Sequence, residues 1–163
     1  MTLSAFLCVY LQCMNIESAR EYYLSLPMAT EDMPFGPECL VLRVGGRIFA
    51  CIGLEWPDYF VMKCDPDLAI DLRDRYPEIA PAWHWNKRHW NQVSLAGTLS
   101  DDFIAGLIRH SYSLVVAKLP KAFRSGHPEI ATIARGLREP VRQEDFFRNF
   151  AVRFTKSRDA NEL

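Results

Sequence analysis

One short stretch of the chain concentrates the residue types that could do chemistry. It reads Trp83-His84-Trp85-Asn86-Lys87-Arg88-His89-Trp90, with tryptophans, histidines and cations interleaved. The charges of Lys87 and Arg88 suit phosphate oxygens, and Asn86 adds a neutral amide that can hydrogen-bond to the same groups. The ring of Trp83 or Trp85 can stack on an unpaired base. The stretch therefore predicts a candidate nucleic-acid-binding site.

The same residues also suit a purely structural role, and the sequence leaves both interpretations open. Tryptophans of small domains often fill the core, so Trp90 and one of Trp83 or Trp85 can be buried. Asn86 can cap a turn, and Lys87 can lie over an aromatic ring or pair with a carboxylate.

The histidines and carboxylates form no metal-binding or acid–base pattern. His84 and His89 have no cysteine nearby and lie outside any HExxH helix, so hydrogen bonds that fix the loop are their expected role. Glu31 and Asp32 are adjacent on an extended stretch and point to opposite faces, which favours ion pairs with Arg or Lys over an acid–base couple. The sequence predicts no metal ion and no cofactor.

Motifs that supply a catalytic nucleophile are also missing. The chain has no GxSxG elbow, no phosphate-binding P-loop and no GxGxxG turn, and none of its cysteines lies in a catalytic signature. Ser111 and Tyr112 fall on a mainly apolar helical segment, where a hydroxyl normally bonds to backbone or to a buried neighbour. We therefore predict no catalytic residue.

A glycine turn is expected to position two further cations. Leu40–Val44 and Arg47–Ile52 are apolar runs on either side of Gly45-Gly46, and glycine supplies the positive φ that a two-residue hairpin turn needs. Arg43 and Arg47 then sit beside the hairpin tip, on opposite faces. They reach phosphates if the hairpin acts as a wing; the alternative is that they only keep the surface soluble.

Helix-start signals place helices around these strands. Asn15, Asp65 and Ser100 are N-cap residues, each followed by an apolar stripe of helical period that ends at a proline. Tyr59–Lys63 and Trp90–Leu95 are predicted to be further strands. The order is helix, three or four strands, helix, one or two strands, helix. It predicts a two-layer α+β domain, an antiparallel sheet packed on one side by helices, with a C-terminal helical extension.

Length and charge limit the remaining possibilities. The 163 residues, 49% of them apolar, can bury one core and are too few for two full domains. The net charge of −1 provides no global basic field, so any nucleic-acid binding must come from a local patch. No apolar run approaches the roughly 20 residues that span a bilayer, so no membrane association is predicted.

Three segments are predicted along the chain. Residues 1–13 form an N-terminal extension without the features of a secretory signal, residues 14–120 form the α+β domain, and residues 121–163 form a basic, Phe-rich helical tail. The phenylalanines of the tail are too apolar to stay solvated, so they pack on the chain's own sheet or form a homodimer or a contact with a protein partner. They are Phe146, Phe147, Phe150 and Phe154.

The cysteines indicate the expected redox state. There are five, an odd number, and they include no CxxC pair, so neither a disulfide framework nor a zinc knuckle is indicated. We expect reduced thiols in a cytoplasmic protein.

Several segments together resemble the MmcQ/YjbR family. They are LSLPMATEDMPFG (Leu24–Gly36), VGGRIFA (Val44–Ala50), MKCDPDLAIDLRDRYP (Met62–Pro77), HWNKRHWNQVSLAGTLSDD (His84–Asp102) and HSYSLVV (His110–Val116). The resemblance implies an α+β fold similar to a "double wing" DNA-binding module, and members of the family are commonly described as DNA-binding. The tail after the last helix of the domain departs from the family pattern.

Three classes of function are compatible with these observations. The first, which we carry forward as the prediction, is a non-catalytic nucleic-acid-binding module that uses the tryptophan-rich stretch with Arg43 and Arg47. The second is a protein-interaction or adaptor module that acts through the Phe-rich tail. The third is a small-ligand protein or enzyme with a pocket lined by Trp83, His84, Tyr112 and Glu31.

Overall fold

The first helix forms where a capping residue precedes an amphipathic stripe. The computed structural model describes residues 14–55 and 59–135, and its first helix, α1, spans Ile16–Ser25. The Asn15 side chain accepts a hydrogen bond from the Ser18 backbone N–H, and the Ser18 hydroxyl accepts one from the Asn15 N–H, each at 2.9 Å. Ala19 and Tyr23 are buried, as their spacing predicted.

Strands of the described residues form one antiparallel sheet. They are β1 (Ala29–Asp32), β2 (Cys39–Val44), β3 (Arg47–Gly53), β4 (Tyr59–Lys63), β5 (Ile79–Pro81) and β6 (Trp90–Ser94). Their order across the sheet is β1-β2-β3-β4-β6-β5. The β2–β3 hairpin turns at Gly45 and Gly46, whose φ angles of +56° and +76° lie in the left-handed region that glycine tolerates. The predicted two-glycine hairpin is confirmed.

Two of the remaining helices begin at the predicted caps. Helix α2 (Pro66–Arg75) follows Asp65, and helix α3 (Asp101–Ala117) follows Ser100. Two short helices complete the described chain, α4 (Lys121–Gly126) and α5 (Pro128–Arg135).

The core lies between one face of the sheet and the helices. Leu42, Ala50 and Met62 are cross-strand partners on neighbouring strands, so they share this face of the sheet. They belong to the same buried cluster as residues of α1, α2, α3 and α5, represented by Tyr23, Leu72, Ile108 and Ile130. This arrangement confirms the predicted two-layer α+β fold, with helices on one side of an antiparallel sheet.

Two hydroxyls on α3 tie this helix to the rest of the domain. Tyr112 donates to the Pro27 carbonyl at 2.6 Å. Ser111 donates to the Phe49 carbonyl on β3 and accepts from the Lys63 N–H on β4 at 2.8 Å. Both hydroxyls bond to backbone, as predicted.

The opposite face of the sheet, which we call the open face, carries the alternate strand residues. Val41 pairs with Cys51, and Val61 of β4 pairs with both Cys51 and Gln92, so these residues project to the side away from the helices. Val41 and Cys51 are nevertheless buried. The open face is therefore partly covered by neighbouring segments of the chain.

The open face also holds a pair of cysteines. Cys39 and Cys51 are joined as a disulfide between β2 and β3, with their Cα atoms 6.5 Å apart. The prediction of reduced thiols is wrong for this pair, because the hairpin places two cysteines that are distant in sequence diagonally across adjacent strands. Cys64 is free and buried.

Part of the predicted C-terminal extension is described, and it packs on the domain. Ile130 of α5 is fully buried beside α3. Residues 1–13 and the phenylalanines Phe146, Phe147, Phe150 and Phe154 lie outside the described residues, so their roles and the segment boundaries stay predictions. Over residues 14–55 and 59–135, no helix is long and apolar enough to cross a membrane.

Candidate functional site

The tryptophan-rich stretch connects β5 to β6, and we call residues 83–90 the tryptophan loop. Asn86 organises its turn. The Asn86 side-chain oxygen accepts from the Arg88 N–H at 3.0 Å, and the Asn86 carbonyl accepts from the His89 and Trp90 N–H groups, each at 3.0 Å. Asn86 is thus a turn residue, one of the two roles that its chemistry predicted.

Arg73 of α2 fixes the tryptophan loop in place. Its guanidinium donates to the Asn91 side-chain oxygen at 2.7 Å, to the Trp90 carbonyl at 3.3 Å and to the Lys87 carbonyl. A planar group with several donors can hold both a strand and the loop that precedes it. Sequence reasoning missed this role, because backbone carbonyls carry no signal in the sequence.

The tryptophans divide into a packed pair and an exposed ring. The Trp85 and Trp90 ring centroids lie 4.5 Å apart, and Phe35 meets Trp85 edge to face at 6.4 Å. The chain reverses at His84, whose φ is 67°. Trp83 is 69% exposed. Trp90 is therefore buried, as the structural interpretation expected, whereas the exposed ring of Trp83 is accessible to a ligand.

Two lysines lie over the tryptophan rings. The Lys87 Nζ is 5.8 Å from the Trp83 ring centroid, and the Lys63 Nζ is 5.5 Å from that of Trp90. Burial, together with the positive charges of Lys118 and Arg47, lowers the pKa of Lys63. The Lys63 ammonium is therefore repelled by Lys118 and Arg47 at the end of the sheet that holds the hairpin tip.

Within the described part of the chain, the cations near the hairpin tip and on the tryptophan loop are only partly neutralised. Lys63, Lys87 and Arg47 form no ion pair there, whereas Arg43 donates to Asp32 at 2.7 Å and to the Gly46 carbonyl at 3.0 Å. Arg88 is exposed on the loop. Among the predicted cations, Arg47, Lys87 and Arg88 have no ion pair within the described residues. Arg43 is already paired with Asp32.

A groove of about 970 Å³ opens on the open face beside the tryptophan loop. Its walls carry the aromatic side chains of Phe35, Tyr59, Trp83 and Trp85, and the Cys39–Cys51 pair also lines it. Such a volume and apolar lining are typical of ligand sites.

Two carboxylates that sequence reasoning missed, Glu38 and Glu55, also line the groove. The Leu54 N–H donates to the Glu38 carbonyl at 2.8 Å, just beyond the last β2–β3 pair, so both carboxylates lie at the end of the hairpin away from its tip. Spacing in the sequence did not place them together, because Glu38 lies seven residues before Gly45 and Glu55 nine residues after Gly46. The register of β2 and β3 also shifts between Leu42 and Arg43.

The other polar residues take structural roles. Glu31 pairs with Arg20, which lowers the pKa of Glu31, and Asp32 pairs with Arg43, so both predicted ion pairs are confirmed. Among the described residues the imidazoles of His84 and His89 have no hydrogen-bond partner, and their expected role in fixing the loop stays a prediction. Over the described ranges, no group of three His, Cys, Asp or Glu residues could hold a metal ion.

The pocket predicted for a small ligand does not assemble. Trp83 and His84 line the groove, but Tyr112 is buried in the core and Glu31 is held by Arg20. The groove takes its acidic groups from Glu38 and Glu55 instead.

Cys64 and His110 line a small internal cavity of about 10 Å³. Burial raises the pKa of the Cys64 thiol to about 12. A thiol that stays protonated, beside a cavity too small for a substrate, is a structural residue rather than a nucleophile.

The burial of His110 gives folding a pH dependence. Burial lowers the pKa of His110 below 6.5, although Asp65 opposes the shift, and the neutral ring accepts from the Asp65 N–H at 3.2 Å. The unfolded chain therefore binds the proton more readily, and the stabilisation present above pH 6.5 is lost as pH falls through the folded-state pKa. We expect urea unfolding between about pH 5 and 7 to show stability rising with pH.

A substitution isolates this contribution. His110→Gln, which keeps an acceptor for the Asp65 N–H, is expected to flatten that rise, whereas His84→Gln in the exposed loop leaves the slope unchanged. An unchanged slope in His110→Gln would show that another group controls it.

Comparison with known proteins relates this geometry to a family. The family model named YjbR matches residues 24–114. The chain is 36% identical over 106 residues to the uncharacterized protein YbdF of Escherichia coli O157:H7, covering 64% of this chain and 87% of that protein. It is 30% identical over 112 residues to the uncharacterized protein YjbR of Escherichia coli strain K12, covering 68% of this chain and 95% of that protein.

Solved structures share the fold. The crystal structure of the Deinococcus radiodurans protein DR2400, a DUF419 domain, has a TM-score of 0.66 at 35% identity and covers 70% of this chain and 88% of that one. A crystal structure of a protein from Pseudomonas syringae has a TM-score of 0.54 at 29% identity and covers 62% of this chain and 98% of that one.

Proposed function

The chain belongs to the YjbR family, and we propose that it is a non-catalytic nucleic-acid-binding module. Its contact surface consists of the tryptophan loop and the neighbouring cations Lys63 and Arg47. The observation that carries the proposal is the exposed ring of Trp83 beside the unpaired cation Lys87, with the Lys63 ammonium close to the same loop over Trp90.

The exposed ring favours single strands over duplexes. Trp83 presents most of its surface to solvent, and an aromatic face of this kind stacks on any unpaired base. In a duplex the bases are already stacked on one another, so the Trp83 ring gains no partner without unpairing them. Affinity for single-stranded DNA or RNA is therefore expected to exceed affinity for duplex DNA.

The charges determine where the phosphates run. Lys63, Lys87 and Arg47 form no ion pair within the described residues, so binding a phosphate does not require them to give up a carboxylate. Glu38 and Glu55 repel phosphates from the far end of the groove. The sugar–phosphate backbone of the bound nucleic acid is therefore expected to run along the end of the sheet at the hairpin tip.

Fluorescence anisotropy of labelled single-stranded DNA, duplex DNA and RNA tests the proposal. Removing two phosphate contacts in Lys87→Ala/Arg88→Ala is expected to weaken single-strand binding about tenfold or more at low salt and to reduce the slope of log K against log salt by about 1.4. Trp83→Ala is expected to weaken binding by a similar factor without changing that slope.

The charge-matched control is Arg20→Ala/Arg75→Ala. Both residues are exposed and lie on helices rather than on the loop, so this double variant is expected to bind like the wild type. Absence of binding by the full chain at low salt, or equal losses in the two double variants, would reject the tryptophan loop as a nucleic-acid interface.

A further inference from the structure

The groove beside the tryptophan loop has a chemistry that nucleic-acid binding does not use. Four aromatic side chains line it, from the β1–β2 connection, β4 and the tryptophan loop. Phe35, Tyr59 and Trp83 are 65%, 41% and 69% exposed, which is unusual for large rings in a domain with a closed core. The Lys87 ammonium lies over the Trp83 ring, and the exposed surfaces of Phe35 and Tyr59 remain available inside a concave site.

The charged side chains of the groove have one sign. Glu38 and Glu55 are the acidic residues among the described lining, and none of the described lining residues is Lys or Arg. The faces of aromatic rings carry partial negative charge as well. Carboxylates and ring faces both favour a cation, and both disfavour a phosphate or a carboxylate ligand.

An inorganic cation does not suit the same residues. Calcium and magnesium need several oxygen ligands, and over the described ranges no group of three acidic, His or Cys residues is arranged to hold a metal ion. An organic cation needs few hydrogen-bond partners and gains from contact with rings. Methylated ammonium groups show this preference most strongly.

We propose that the groove binds a small organic cation with a methylated or quaternary ammonium group, whose charge lies among the rings near Glu38 and Glu55. The volume of about 970 Å³ accommodates a small molecule. The inference does not depend on nucleic-acid binding, because the cations of that proposal, Lys63, Lys87 and Arg47, do not line the groove. The two proposals share the ring of Trp83.

A pair of probes of the same shape isolates the role of charge. Choline and its uncharged isostere 3,3-dimethylbutan-1-ol differ mainly in a nitrogen that replaces a carbon. In a titration of the full chain, followed by calorimetry and by tryptophan fluorescence, choline is expected to bind at least about tenfold more tightly than the isostere. Equal affinities, or no saturation by choline, would overturn the proposal.

Substitutions in the full chain locate the site. Glu38→Gln/Glu55→Gln is expected to weaken choline binding about fivefold or more while leaving the affinity for the isostere unchanged. Trp83→Ala weakens choline binding as well. The charge-matched control, Glu17→Gln/Glu21→Gln on the exposed side of α1, keeps wild-type affinity. Wild-type choline binding in the double variant would overturn the assignment to the groove.

The nucleic-acid titration remains separate from this test. Glu38→Gln/Glu55→Gln retains Lys87, Arg88 and Trp83, so it is expected to bind single strands at least as tightly as the wild type. Failure of either proposal is therefore visible without reference to the other.

Discussion

Ser111→Ala is expected to lower the free energy of unfolding by about 2–4 kcal/mol, since it leaves two buried backbone groups without partners. The β3–β4 pairing includes Ala50 with Met62, and the next residues along these strands are Phe49 and Lys63. The Ser111 hydroxyl bridges them, because it donates to the Phe49 carbonyl and accepts from the Lys63 N–H. Urea unfolding of the wild type and the variant, followed by circular dichroism, measures the difference.

Ser113→Ala is the matched control on the same helix. The Ser113 hydroxyl donates to the Arg109 carbonyl at 2.8 Å, within α3 itself, so its loss leaves no strand group unpaired. Because alanine also has the higher helix propensity, a change within about 0.5 kcal/mol is expected. Equal losses in the two variants would mean that the Ser111 bridge does not hold the helix to the sheet.

Arg73→Met is expected to cost about 2–3 kcal/mol of stability and to change the near-ultraviolet signal of the tryptophans. Methionine keeps most of the length of the side chain but donates no hydrogen bond. The side chain of Asn91 is buried, and its amide nitrogen has no hydrogen-bond partner among the described residues, so the bond from Arg73 to its oxygen is the one that satisfies it. The Lys87 and Trp90 carbonyls lose a donor at the same time.

A surface arginine provides the comparison for Arg73. Arg20 forms an ion pair with Glu31 while its side chain is 49% exposed, so Arg20→Met is expected to leave the stability close to that of the wild type. If Arg73→Met were equally mild and left the tryptophan signal unchanged, the loop would be held by its own turn at Asn86 rather than by α2.

The elements of the fold were predictable because their signals are local. Asn15, Asp65 and Ser100 cap helices through groups within three residues of themselves, and the Gly45-Gly46 turn needs only the positive φ of glycine. Glu31 and Asp32 were correctly expected to form ion pairs, since adjacent residues of a strand point to opposite faces.

The site was predictable only in part. The types of residue in the tryptophan loop indicated stacking and phosphate contact, yet which ring is exposed depends on how the loop folds over the open face. Lys63 gave no signal, because its place beside Trp90 follows from the pairing of β4 with β6. The sequence suggested that Arg43 could bind a phosphate, but Arg43 forms an ion pair with Asp32, its diagonal neighbour across β1 and β2.

By itself, then, the sequence determined the helices, the hairpin, the α+β class and the family resemblance, all of which depend on short-range periodicity, capping and motif order. The tertiary structure alone decided that Cys39 meets Cys51, that Arg73 holds the tryptophan loop, and that Glu38 and Glu55 face an aromatic groove. These contacts join residues from different strands, helices and loops, and their register is set by packing of the whole sheet rather than by any local preference of the chain.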